Sequence, residues 1–169
     1  MACNLMGRVA VITGSTQGIG WAVAQELANR GAKVVLNGRN PVKLRDRVDC
    51  LREARGTVLG LTGDMSRASD VERVASEVVQ AWGRIDIWVN NAGDTVVRDS
   101  LQLEPDEFSR VVALNLNGAF YGSRAAARVM ACRGGGVIVQ MGSISGRWEP
   151  PGVRLTFPRS MPWWASPKC

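Results

Sequence analysis

The residues best suited to chemistry lie near the start of the chain. Thr13-Gly14-Ser15-Thr16-Gln17-Gly18-Ile19-Gly20 follows an apolar run and leads into a stretch with helical periodicity. Glycines at such a junction permit positive φ and let backbone N–H groups approach a pyrophosphate at the positive end of a helix. A plain tight turn also uses glycine, so the strand–loop–helix setting is what points to a dinucleotide. The next strand bears on which dinucleotide. A site for NAD places an acid at the end of the second strand, where it accepts from the ribose 2′-hydroxyl. Here Gly38 fills that slot and Arg39 follows. A missing carboxylate removes repulsion of a 2′-phosphate, and a guanidinium can clamp one. Gln17 supplies no second cation, and a merely solvated Arg39 is the alternative. NADP is expected ahead of NAD.

These residues need a scaffold, and the alternation of patterns supplies one. Arg8 to Thr13, Lys33 to Asn37, Thr57 to Leu61, Ile85 to Val89 and Val137 to Met141 read as five short apolar strands. Helical periodicity fills the gaps. Ile19, Ala22, Val23 and Leu27 are expected on the inner face of the first helix, which Gly31 stops. Asn40 caps a second helix with Pro41 at its first position and Leu44, Val48 and Leu51 inward. Val71, Val74, Ala75, Val78, Val79 and Trp82 form the inner stripe of a third, closed by Gly83. Two further helical stretches span about 105–114 and 117–132. Continuous apolar strands alternating with amphipathic helices predict an α/β fold, a doubly wound parallel sheet covered on both faces.

Composition narrows the classes. At 169 residues and 46% hydrophobic, the chain can build one sizeable core and is not a disordered segment. No apolar run approaches the roughly 18 residues that span a bilayer, and MACNLMGR is too short and polar for a secretory signal, so a cytoplasmic home is expected. The net charge of +6 is carried by scattered arginines. The densest group, Arg45, Arg47, Arg52 and Arg55, is interrupted by Asp46, Asp49 and Glu53, which argues against nucleic-acid binding. Cys3, Cys50, Cys132 and Cys169 lack CxxC spacing and read as small reduced apolar residues. Absence of His excludes a histidine base or histidine metal ligand.

The loop and four later segments, taken in order, resemble the short-chain dehydrogenases/reductases. Thr13-Gly-x-x-x-Gly18-Ile-Gly20 is similar to that family's nucleotide signature. Asp64 stands where the family contacts adenine, and Asn90-Asn91-Ala92-Gly93 is similar to its NNAG segment. Asn115 matches the active-site Asn, and Ser143, in MGSISG, matches the catalytic Ser. Asn115 could instead break a helix, and Ser143 could form a strand-end turn. The resemblance covers about residues 5–147. It implies a Rossmann-like sheet that the intact family completes with seven strands, against about five here, and NADP-dependent exchange of hydride between a carbonyl and an alcohol. It also implies a small-molecule substrate and homo-oligomeric intact relatives.

The resemblance also implies a Tyr thirteen places after the Ser and a Lys four places later, with the Tyr exchanging the proton and the Lys lowering its pKa. Those slots hold Thr156 and Ser160, and the single tyrosine, Tyr121, precedes Ser143. A Thr hydroxyl is far too weak an acid near neutral pH, and Ser carries no cation. The expectation is therefore a family member without its catalytic pair, with a non-catalytic NADP-binding module or an inert truncated product as alternatives.

Residues 149–169 lose all alternation and hold five of the seven prolines. Met161, Trp163 and Trp164 each have one codon. Reading one base earlier across Met-Pro-Trp-Trp-Ala forces Ala, then Leu, Val or Met, then Val and Gly. With permitted codons the shifted frame from Glu149 places Tyr at the slot of Thr156 and Lys at that of Ser160. We expect a dinucleotide-binding domain over 1–148 and an out-of-frame, non-family tail over 149–169. A genuine divergent tail is the competing reading. In the family's strand order the fifth strand is internal, so here Val137 to Met141 is expected to form an apolar edge.

Overall fold

The computed structural model describes residues 4–54, 56–96 and 100–142. The order is β1 (Val9–Ile12), α1 (Gly18–Asn29), β2 (Lys33–Gly38), α2 (Pro41–Glu53), β3 (Val58–Thr62), α3 (Ala68–Trp82), β4 (Ile87–Asn90), a short 3₁₀ turn, α4 (Pro105–Val112), one π-helical segment (Ala113–Asn117), α5 (Gly118–Ala131) and β5 (Val137–Gln140). The five strands form one sheet in the order β3-β2-β1-β4-β5, and every pairing is parallel. Val11 lies opposite Val35 on one side and Trp88 on the other. Because the strands are parallel, the loops after β1, β2, β3 and β4 emerge at one edge. The order in which successive strands are added reverses between β1 and β4, the position where open α/β sheets form a crevice.

Both faces of the sheet are covered over its central strands β1, β2 and β4, which is why those strands are mostly apolar. Val9, Val11, Val35 and Trp88 pack with Val71, Val74, Val78, Ala125 and Met130 of α3 and α5. Ala10, Ile12, Val34, Leu36 and Val89 pack with Ala24, Leu44, Val48 and Leu51 of α1 and α2. The helices begin and end as their residues dictate. Asn40 accepts from the N–H groups of Val42 and Lys43, and Pro41 stands at the first position of α2. Gly83 ends α3 in the left-handed conformation, φ 75°, with its N–H on the Val79 carbonyl.

Two expectations need correction. In α1, Ile19 is 55% exposed and Ala22 is also exposed; the buried residues are Gly20 and Ala24. Val23 and Leu27 pack half-buried against the core as expected, beside Gly20 and Ala24. The stretches around 105–132 are not separate helices but one helical run carrying a π turn, which holds Asn115. Cys50 and Cys132 are free thiols, in line with their reading as reduced residues, and both are exposed.

At the opposite end of the sheet, Asp86 ties the starts of β1 and β4. Its carboxylate accepts from Arg8, from the Val9 N–H at 2.9 Å and from both Arg84 donors. Burial alone would raise its pKa, but the hydrogen bonds from Arg84, Val9 and Arg8 reverse this and hold it below the ordinary value. Among the described residues β5 forms the sheet's outer edge, with Val137 57% and Val139 37% exposed.

Candidate nucleotide-binding site

The loops at the C-terminal ends of β1 to β4 enclose a cleft of about 210 Å³. Gly14, Thr16, Gln17, Gly18 and Ile19 form one wall, Gly38 and Arg39 a second, and Gly63, Asp64 and Met65 a third. Asn91, Ala92, Gly93 and Leu114 complete it. Most of the residues singled out in the sequence thus meet around one hollow.

The first loop is shaped by its neighbours. Gly14 and Gly18 have positive φ, 62° and 57°. A Cβ on Gly14 would stand 2.8 Å from Ala92 Cα, and one on Gly20 would stand 2.4 Å from Asn91 Nδ2. Those two glycines let the loop press against the segment after β4. A Cβ on Gly18 would meet nothing within 4 Å, so this residue faces open space. Ser15 and Gly20 stand behind the wall: Ser15 is fully buried, with its hydroxyl on the Ile12 carbonyl at 2.8 Å.

Helix α1 starts at Gly18 with no side-chain cap on its first turn and no acid there. An uncapped helix start carries unsatisfied N–H donors and partial positive charge. Asn40, by contrast, caps α2 fully. The hollow therefore suits an anionic group such as a pyrophosphate, with Arg39 exposed at its rim. Among the described residues Arg39 has no ion pair with an acid, while Arg73 is engaged by Glu77 and Asp70.

Asp64 is held rigidly on the third wall. Its N–H donates to Asp70 at 2.8 Å, and its Oδ1 accepts both the N–H and the hydroxyl of Ser66. Burial pushes its pKa up, but the Ser66 bonds and the charges of Arg39 and Arg67 outweigh that, leaving an ionised carboxylate below its ordinary range.

Asn91 donates to the carbonyls of Thr13 and Gly14 at 2.9 and 3.1 Å. The Thr13 hydroxyl accepts the N–H groups of Asn91 and Ala92, both at 2.9 Å. Asn115 accepts from the Asp94 N–H at 2.9 Å and donates to the Asp94 carbonyl at 2.8 Å. The π turn thus turns Asn115 toward the segment that follows Gly93. Ser143, Thr156 and Ser160 lie outside the described residues.

One residue that positions the site is not evident from the sequence. Asn37, 1% exposed, accepts from the Gly14 N–H and donates to the carbonyls of Leu61 and Gly63 at 3.1 and 3.3 Å. Its signal is a single amide ending the apolar run Val34-Val35-Leu36.

The pattern of the family described as short chain dehydrogenase matches residues 8–154, continuing past Trp148, the boundary expected for the domain. The chain belongs to the short chain dehydrogenases. Within that family it is similar to elsinochrome reductase 1 of Elsinoe fawcettii, with 38% identity over 145 residues, 85% of this chain and 54% of the relative. A gluconate 5-dehydrogenase from Burkholderia cenocepacia, solved in complex with NADP and tartrate, superposes with a TM-score of 0.83 and 34% identity, covering 89% of this chain and 59% of the other. A metagenomic short-chain oxidoreductase in complex with NADP gives the same TM-score and identity, over 88% and 67%. This short chain dehydrogenase spans about half the length of the curated relatives it matches. No described helix is long and apolar enough to cross a membrane.

Proposed function

We propose that this chain holds NADP in the cleft and does not itself reduce a carbonyl. The observation that carries the binding half is the convergence of an uncapped α1 start, the open face of Gly18 and Arg39 on one hollow. The N–H groups from Thr16 to Ile19 would receive the pyrophosphate, and Arg39 the 2′-phosphate. Asp64 and Met65 would receive the adenine, and Asn91, Ala92 and Gly93 would border the nicotinamide ribose. NADP, when bound, supplies hydride transfer at its nicotinamide. By family resemblance Asn115 and Ser143 would face the substrate, a carbonyl or alcohol in the cytosol. The solved relatives described as NADP complexes support this choice of cofactor over NAD.

The second half rests on residue identity. Thr156 and Ser160 stand where the family carries Tyr and Lys, and neither can move the proton that hydride transfer requires. The out-of-frame origin proposed for residues 149–169 explains both substitutions at once. Nucleotide sequence beneath residues 147–161 that cannot encode Tyr and Lys in the neighbouring frame overturns that origin.

Titration of the chain with NADPH, followed by nucleotide fluorescence, tests the binding half. Saturable binding is expected, and Arg39→Ala weakens it about tenfold or more while leaving NADH unchanged. No signal from the unsubstituted chain sinks the reading and leaves an inert product. Turnover against a panel of carbonyls is expected at the rate of the enzyme-free blank.

A further inference from the structure

Gly38 is more constrained than a residue that merely lacks an acid. A Cβ built there would stand 2.6 Å from Thr16 Cγ2, 3.4 Å from Thr16 Oγ1 and 3.6 Å from Thr16 Cβ. Carbon atoms in good contact stand about 3.5–4.0 Å apart, so the Thr16 methyl already fills the place of a side chain at position 38. Gly38 has no need of glycine's backbone freedom, since it is not among the residues with positive φ.

Thr16 is poorly able to yield. Its carbonyl accepts from Arg47 Nε at 3.0 Å, and the Arg47 guanidinium sits 4.8 Å from the centre of the Trp21 ring. On the other side the Ser15 N–H is bonded to the Asn37 carbonyl at 2.9 Å. With the main chain held from both directions, relief must come from χ1 of Thr16, and a β-branched residue has few rotamers open to it.

We propose that Thr16 is a specificity residue for the cofactor, excluding by its volume the carboxylate that a site for NAD requires at position 38. The inference rests on the NADP reading above and deepens it. Position 38 rejects the acid through space, in addition to lacking it by sequence. A single Gly38→Asp exchange therefore cannot place its carboxylate at the ribose, because its Cβ collides first with Thr16. Thr16→Ser removes the colliding methyl, keeps the hydroxyl and opens the position.

Two measurements on the full chain test this. The first needs no cofactor. Gly38→Ala should lower the melting temperature, and Thr16→Ser combined with Gly38→Ala should recover at least half of that loss. Equal losses with and without Thr16→Ser overturn the inference alone, whatever the chain binds. The second compares NADH and NADPH by fluorescence titration. Gly38→Asp alone should abolish the preference for NADPH with little gain for NADH. The double variant Thr16→Ser, Gly38→Asp should bind NADH about tenfold tighter than the unsubstituted chain, as expected of a charge-assisted hydrogen bond to the 2′-hydroxyl. A gain from Gly38→Asp alone that equals the double variant overturns the proposal. A chain that binds neither dinucleotide overturns the specificity role together with the reading beneath it, while the melting series still decides whether the two positions collide.

Discussion

Asn37 links three segments through one side chain, and its removal should be felt far beyond its size. It bridges the Gly14 N–H to one carbonyl near the end of β3 and one just beyond it, from a position that is almost fully buried. Asn37→Leu leaves those groups unpaired, so a loss of about 2–3 kcal/mol is expected in urea denaturation. Asp86 makes a pH-dependent contribution at the other end of the sheet. Its carboxyl titrates below the ordinary 3.8, so its stabilisation is complete above about pH 4 and fades as the pH falls through the lowered value. Asp86→Asn should cost about 2 kcal/mol at neutral pH and flatten the acid side of the stability profile, read from denaturation midpoints between about pH 3 and 7. At this scale the sequence was legible where type and place coincide, as at Gly18 and Arg39. It was opaque for Asn37 and Asp86, whose partners are remote in the chain and meet only once the sheet has assembled.

Whole elements were easier to read than single contacts, for a physical reason. The stripe of α3 and the cap of α2 rest on residues three and four apart, so local sequence contains the whole signal. Asn40→Ala should therefore cost about 1 kcal/mol in a thermal or chemical melt, with no change elsewhere. Helix α1 was legible in part: Val23 and Leu27 face the core as their spacing implies, while Gly20 and Ala24 carry little hydrophobic signal. The π turn was unreadable for a related reason: no local residue announces one extra residue in a helical run. β5 shows the opposite case, where an apolar strand forms an edge. Val137 and Val139 are exposed on a strand that, among the described residues, has no neighbour on its outer side, the arrangement that invites pairing with another chain. Replacing Val137 with Lys should lower light scattering at high protein concentration without lowering the melting temperature. Unchanged scattering would assign self-association to another surface.

At the scale of the molecule, the fold was recoverable because a parallel doubly wound sheet demands apolar strands and amphipathic crossovers in strict alternation, and this chain keeps that alternation through β5. Most of the residues singled out meet around one cleft because such a sheet gathers its loops at one end. The glycine loop carries a further consequence for how the chain changes over generations. Gly14 and Gly20 are required by Ala92 and Asn91, atoms of the protein itself, so they would persist in a lineage that had ceased to bind anything. A Cβ at Gly18 would meet nothing within 4 Å, and its φ of 57° is one that Asn or Asp also tolerates. Drift in a descendant freed from its ligand would therefore register first at position 18, making that single residue the gauge of whether selection still acts on binding.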